Sequence, residues 1–393
     1  MSRTGGGIDL AVITTHIAPS KGFGGIAEAT GALVNALAEN GRSFRVCASD
    51  ASHGAPIRAA DLGLPETVPV ELYRSRFGRK WGFGLGALPA VFRACHGARL
   101  VVVSGLGTWP TLIAKLVCVT FGRPMLVMPH AGLMATHLAV IEARKPLKRH
   151  LYRWLVLPML RRARGLCLTS HLEEKGLDEL LPGVPVTVVP NGVDLTRWQP
   201  LPPRAADGGM ALCYFGRFSP EKGIRRFLRV WSAQRRPGDR LSIVGVGEGD
   251  YGRQVEAEAA ATHGVSLLGW QDRAGMRAVL QESDALVLPS GIEDDDLREN
   301  FGNVVAEALA SDRPVLVAAG LAWDHAEAEG FGVVFGHEMD NAIAEGIGRL
   351  QAMSPQALSE MGKAGRRYVE RYLDVRVTSD LIWRQAVAVM AGR

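Results

Sequence analysis

At 393 residues, 47% apolar and 22% charged, the chain has the length of two ordinary domains and the composition of a soluble globular enzyme. That excludes the disordered and fibrous classes. A transmembrane span is excluded as well: the longest apolar stretch, residues 100–121, is broken by Ser104, two glycines, Pro110 and Lys115. The net charge of +5 is modest but unevenly spread. The five cysteines are scattered and form no CxxC pair, which points to a reducing cytoplasm and no structural zinc.

Short apolar strands alternate with amphipathic stretches from the start, the pattern of parallel α/β sheets. Residues 8–14 predict a buried strand; the apolar run is too short for a signal-peptide core and lacks a cleavage site. A Gly/Pro/Ser loop over 19–25 leads into a helix reaching about Asn40, with Ile26, Ala29, Leu33, Ala36 and Leu37 at helical spacing and Gly41 as its stop. Further strands are expected at 44–48, 68–73, 100–103, 125–128, 166–169 and 186–189. Residues 144–164 hold eight cations and no acid, interleaved with Leu147, Tyr152, Trp154 and other apolar side chains. Residues 197–210, with three prolines and two glycines, read as a linker. Strands recur at 211–215, 241–244, 265–268, 285–288 and 315–318, and 375–390 predicts one amphipathic helix. The expected architecture is α/β with two Rossmann-like domains, 1–194 and 195–374, and a helix over 375–393 that packs back on the first.

Three motifs carry chemistry. In Glu299-Asn300-Phe301-Gly302-Asn303 with Glu307 four residues on, a strand ends, a helix opens near Gly302, and a carboxylate stands on either side. Ligands of open α/β sheets bind outside the carboxyl ends of strands, where a helix N-terminus offers free N–H groups to phosphate. Gly302 lets backbone come close, and each carboxylate accepts from paired sugar hydroxyls. In the second motif, Arg217 and Lys222 follow the strand 211–215 and supply two cations for a diphosphate. The third is the glycine loop with Gly24 and Gly25, a second phosphate contact. Two acids and two cations are thus expected to converge on one pyrophosphoryl group.

These residues resemble the retaining glycosyltransferases of family 4, over nearly the whole chain. Pro129-His130-Ala131-Gly132-Leu133-Met134, Lys145-Pro146-Leu147-Lys148, Pro190-Asn191-Gly192-Val193-Asp194 and Trp323 look like the branch that builds bacterial exopolysaccharide and lipopolysaccharide. The resemblance implies the GT-B fold, its two domains facing each other across a cleft. It implies Glu307 on the ribose, Glu299 near the transferred sugar, Arg217 and Lys222 on the diphosphate, and His130 close to the reacting face. The branch usually has His-Gly or Arg-Gly where this chain has His130-Ala131.

The implied reaction is retaining, metal-independent hexosyl transfer from a nucleotide diphosphate sugar to a saccharide, lipid-linked acceptor, with no cofactor beyond the donor. Its setting is the cytoplasm, at the inner face of the cell membrane. Two rivals remain: an NDP-sugar 2-epimerase of the same fold, and a non-catalytic nucleotide-sugar-binding subunit. Asp294-Asp295-Asp296 could be a metal-binding Asp-x-Asp but reads better as a solvated loop, because Arg217 and Lys222 already answer the diphosphate charge. Gly245-Val246-Gly247-Glu248-Gly249 lacks the third glycine of a dinucleotide fingerprint and reads as a tight strand-to-helix turn. The basic stretch reads as peripheral contact with an anionic membrane. Nucleic acid is disfavoured, since the cluster is local and no recognition motif accompanies it.

Overall fold

The computed structural model describes residues 8–392 apart from 206–207, 295–298 and 337. The chain divides into two compact units, Met1–Gly192 with Val375–Arg393, and Val193–Asp374.

The first unit holds seven parallel strands: β1 Ile8–Thr14, β2 Phe44–Ser49, β3 Val70–Tyr73, β4 Ala98–Ser104, β5 Met125–Met128, β6 Gly165–Leu168 and β7 Val186–Val188, in the order β3-β2-β1-β4-β5-β6-β7. Side chains alternate across a strand, so each run feeds two cores. Ala11, Ile13, Val101 and Val103 meet the helices Ala87–His96 and Trp109–Thr120 on one face. Leu10, Val12, Leu100 and Val102 meet the helices Gly25–Glu39 and Val375–Met390 on the other. The last helix buries Ile382 and Ala386 there, and Arg42 reaches its Asp380 at 3.2 Å. Gly192 has no room for a side chain, since a β-carbon would collide with Thr378 Oγ1.

The second unit holds β8 Ala211–Phe215, β9 Arg240–Val244, β10 Val265–Leu267, β11 Ala285–Leu288, β12 Val315–Ala318 and β13 Gly332–Phe335, ordered β10-β9-β8-β11-β12-β13, all parallel. The chain runs outward from β8 to β10, then returns to β11 beside β8. That reversal is a topological switch point, and the first unit has its own between β1 and β4. Expected strands fall within a residue or two of those observed. The exception is β13, a four-residue edge strand whose approach, residues 319–331, carries no helical period to announce it.

Residues 197–205 and 208–210 are irregular, as expected, but are no free linker. Trp198 and Leu201 are buried in the second unit's core, and Arg204 pairs with Asp284 at 2.9 Å. All five cysteines are buried and free. Among the described residues, no helix is long and apolar enough to cross a membrane.

Candidate functional site

In the second unit the pairing of β8 with β11 sets their two following loops side by side. Gly223 lies at φ +66°, and a β-carbon there would collide with the Pro289 carbonyl oxygen and crowd Ile292. The Gly291 N–H donates to the Glu221 carbonyl at 2.9 Å. Only glycine permits this approach without strain. One consequence is direct: the Lys222 ammonium donates to Glu299 Oε2, and both side chains are mostly buried. Two residues predicted separately, 77 positions apart, form one ion pair at the switch point.

Gly302 caps the Asn303–Ala310 helix in a left-handed conformation, φ +70°, and a β-carbon there would crowd Leu288 and meet Glu299. The helix N-terminus therefore opens directly beside the Lys222–Glu299 pair. Below it, the Trp323 indole N–H donates to the Phe301 carbonyl, and the two rings lie 5.1 Å apart. Asn300 and Phe301 are buried, and Asn303 and Glu307 are half-buried on the helix. Arg217 shares the Lys222 loop but extends into solvent, 3.7 Å from Glu221. Tyr214 underpins that loop, donating to the Arg217 carbonyl at 3.0 Å, and burial holds its hydroxyl well above the usual phenol range.

The Gly245 turn is of the tight kind expected. Gly216 and Phe218 donate their N–H groups to Val244 and Val246, each at 3.0 Å, and a β-carbon at Gly245 would collide with the Gly216 carbonyl. The first acid of the 293–296 segment also has a structural job. Glu293 accepts from the Arg226 N–H in the first turn of the Ile224–Gln234 helix and from Tyr251 Oη at 2.8 Å. Asp295 and Asp296 lie outside the described residues.

In the first unit, His130 follows β5 at φ +47° and Ala131 lies at φ +69°. Two successive non-glycine residues in the left-handed region are held against about 1–2 kcal/mol each. Glu173 holds them. Wholly buried, it accepts from the Ala131 N–H with one oxygen and from the Thr169 N–H with the other, both at 2.9 Å. The His130 Nε2 contacts Ser104 Oγ at 2.8 Å, and Ser104 Oγ contacts Thr30 Oγ1 at 2.9 Å. Thr30 belongs to the helix that Gly24, at φ +72°, and Gly25 open, so that helix and His130 are linked side chain to side chain. Burial pushes the His130 imidazole down to about 4, leaving it neutral at pH 7, and its Nδ1 is buried with no partner among the described residues. In the second unit the hydroxyls of Ser219 and Ser290, on these two neighbouring loops, likewise have no partner among the described residues. Sequence reading missed Glu173 and Ser104, because no spacing ties them to Ala131, Thr169 and His130.

Two family models meet this chain. One described as "Glycosyl transferase 4-like domain" matches residues 24–192, and one described as "Glycosyl transferases group 1" matches 209–352. The chain belongs to the family 4 glycosyltransferases. It is 28% identical over 276 residues to a glycogen synthase of Mycobacterium tuberculosis, a match covering 68% of this chain and 62% of that protein. To the lipopolysaccharide 1,2-N-acetylglucosaminetransferase of Salmonella typhimurium it is 28% identical over 158 residues, 36% of this chain and 40% of that protein. Among solved structures, sucrose-phosphate synthase from Thermosynechococcus elongatus superposes with a TM-score of 0.75 at 20% identity, covering 98% of this chain and all of that one. Anabaena HepE, in complex with UDP and glucose, superposes with a TM-score of 0.70 at 16% identity, covering 97% of this chain and all of that one. These likenesses show the GT-B fold.

Proposed function

We propose that this glycosyltransferase moves a hexosyl group from a nucleotide diphosphate sugar to a saccharide acceptor, lipid-linked, in surface polysaccharide synthesis, with retention and without a metal. The observation that carries the reading is the Lys222–Glu299 pair at the β8/β11 switch point, beside the N-terminus of the Asn303–Ala310 helix. The Lys222 ammonium, positioned by Glu299, and the helix amides are set to meet a leaving diphosphate, the pre-organised electrostatics that often dominate catalysis, and Arg217 on the same loop adds a second cation. Glu299 and Glu307 take sugar and ribose hydroxyls. The acceptor oxygen forms its bond to the anomeric carbon on the face from which the diphosphate departs. A departing phosphate oxygen takes the acceptor's proton. His130, neutral, has Nδ1 to exchange a hydrogen bond with a sugar hydroxyl.

Support for the lipid-linked setting comes from residues 144–164. Tyr152, Val156, Met159 and Leu160 turn into the core, while Leu147 and Trp154 are exposed. Arg153 lies over the Trp154 ring at 5.7 Å. We assign this outer strip to peripheral contact with an anionic membrane at the inner face of the cell membrane.

The test incubates the enzyme with UDP- and GDP-hexoses, with and without saccharide acceptors, and follows the product by NMR. Expected is acceptor-dependent transfer with the donor's anomeric configuration, undiminished by EDTA. An inverted anomer, or activity lost on chelation, overturns the corresponding part of the mechanism. An isomerised sugar nucleotide formed from donor alone makes the enzyme an epimerase.

A further inference from the structure

Residues 72–172 of the first unit carry a charge imbalance. Between residues 72 and 172 stand sixteen lysines and arginines and one carboxylate, Glu142, in a chain whose net charge is only +5. The rest of the chain is therefore net acidic, and the positive charge is gathered here.

The feature of interest is a turn well before the 144–164 strip in sequence. Phe77 and Phe83 pair across it as an antiparallel bridge, and Tyr73 Oη donates to the Gly82 carbonyl at 2.9 Å. Just beyond, the Trp109 indole N–H donates to the Gly84 carbonyl at 3.0 Å. The turn is thus fixed from beneath, while its outer side chains face water. Phe77 is 75% exposed, Leu85 77% and Trp81 half exposed, with Arg79 and Lys80 between them. Leu88, Phe92, Leu116 and Phe121 continue the apolar surface along the two adjoining helices. Those helices and the 152–160 segment pack on the same side of the sheet.

Clustered aromatic and aliphatic side chains this exposed mark an interaction surface. Its charge selects the occupant. No acid lies between Glu71 and Glu142, so a second copy of this face would meet like charge. Rings and leucines beside cations suit the headgroup depth of a bilayer, where the apolar groups enter and the cations stay at the anionic surface.

We infer that the turn 77–83, with Leu85 beside it, is a second contact of this enzyme with an anionic lipid surface, separate from the Leu147–Trp154 strip. The inference rests on the membrane reading above in placing the chain at a bilayer, but on different residues. It is tested by co-sedimentation of the full chain with vesicles of phosphatidylcholine alone or mixed equally with phosphatidylglycerol. The combined change Phe77→Ser/Trp81→Ser/Leu85→Ser should lower partition into the mixed vesicles at least tenfold with an unchanged melting temperature. Arg79→Gln/Lys80→Gln, which removes no apolar surface, should lower it roughly 25-fold at low salt. If both variants bind like the unmodified chain while Leu147→Ser/Trp154→Ser does not, the second contact is refuted and the first stands. The opposite pattern refutes the first and keeps the second. An unmodified chain that ignores phosphatidylglycerol refutes both.

Discussion

The loops at the β8/β11 switch point and the turn carrying His130 both hold backbone in left-handed conformations, by opposite means. At the switch point the positions that need φ > 0 or close approach are glycines, Gly223 and Gly302, so the geometry carries no steric penalty. The charged groups, Lys222 and Glu299, sit on neighbouring residues that adopt ordinary conformations. At the His130 turn the left-handed positions are not glycines: a side chain sits on each, His130 and then Ala131. The fold answers with a buried carboxylate, Glu173, that clamps the turn's backbone. Where glycine can take the strain, a site depends on its charges. Where it cannot, the site depends on a distant partner.

The largest effect should come from the charges. Lys222→Ala should lower turnover about 100- to 1,000-fold, as loss of one pre-organised cation does, and weaken nucleotide binding in a thermal-shift titration. Turnover within twofold of the unmodified enzyme would remove Lys222 from the site. Gly223→Ala attacks the glycine solution: a β-carbon against the Pro289 carbonyl in a left-handed residue should destabilise by about 3 kcal/mol in urea unfolding. Glu173→Gln attacks the clamp and should destabilise by about 2 kcal/mol, since one of two buried N–H groups loses its acceptor and the other keeps only a neutral one. A variant as stable as the parent would mean that the turn holds itself.

Acidification sharpens the contrast further. Burial pushes both His16 and His130 from 6.5 down to about 4, so the unfolded chain takes up protons before the folded one does. Stability should therefore fall as pH drops from about 6.5 towards 4, and His16→Gln/His130→Gln should flatten that slope in pH-dependent unfolding. The smallest effect is Ala131→Gly, which relieves left-handed strain and should stabilise by about 0.5–1 kcal/mol. The matching change in the other direction, Gly302→Ala, should destabilise.

Alternation of apolar strands with helical periods, together with the glycines and cations that follow them, made both Rossmann-like sheets, the Gly302 helix start and the Lys222/Glu299 motif legible in sequence. These are local signals, written in spacings of two to eight residues. Other features came only from chains meeting in space. The Lys222–Glu299 pairing needed β8 beside β11. The clamp of Glu173 on Ala131 spans 42 positions, and the sorting of residues 144–164 into buried and exposed faces needed the sheet beneath them. Local periodicity fixes which elements form. Hydrogen bonds and ion pairs across long separations depend on sheet order, which no single segment encodes.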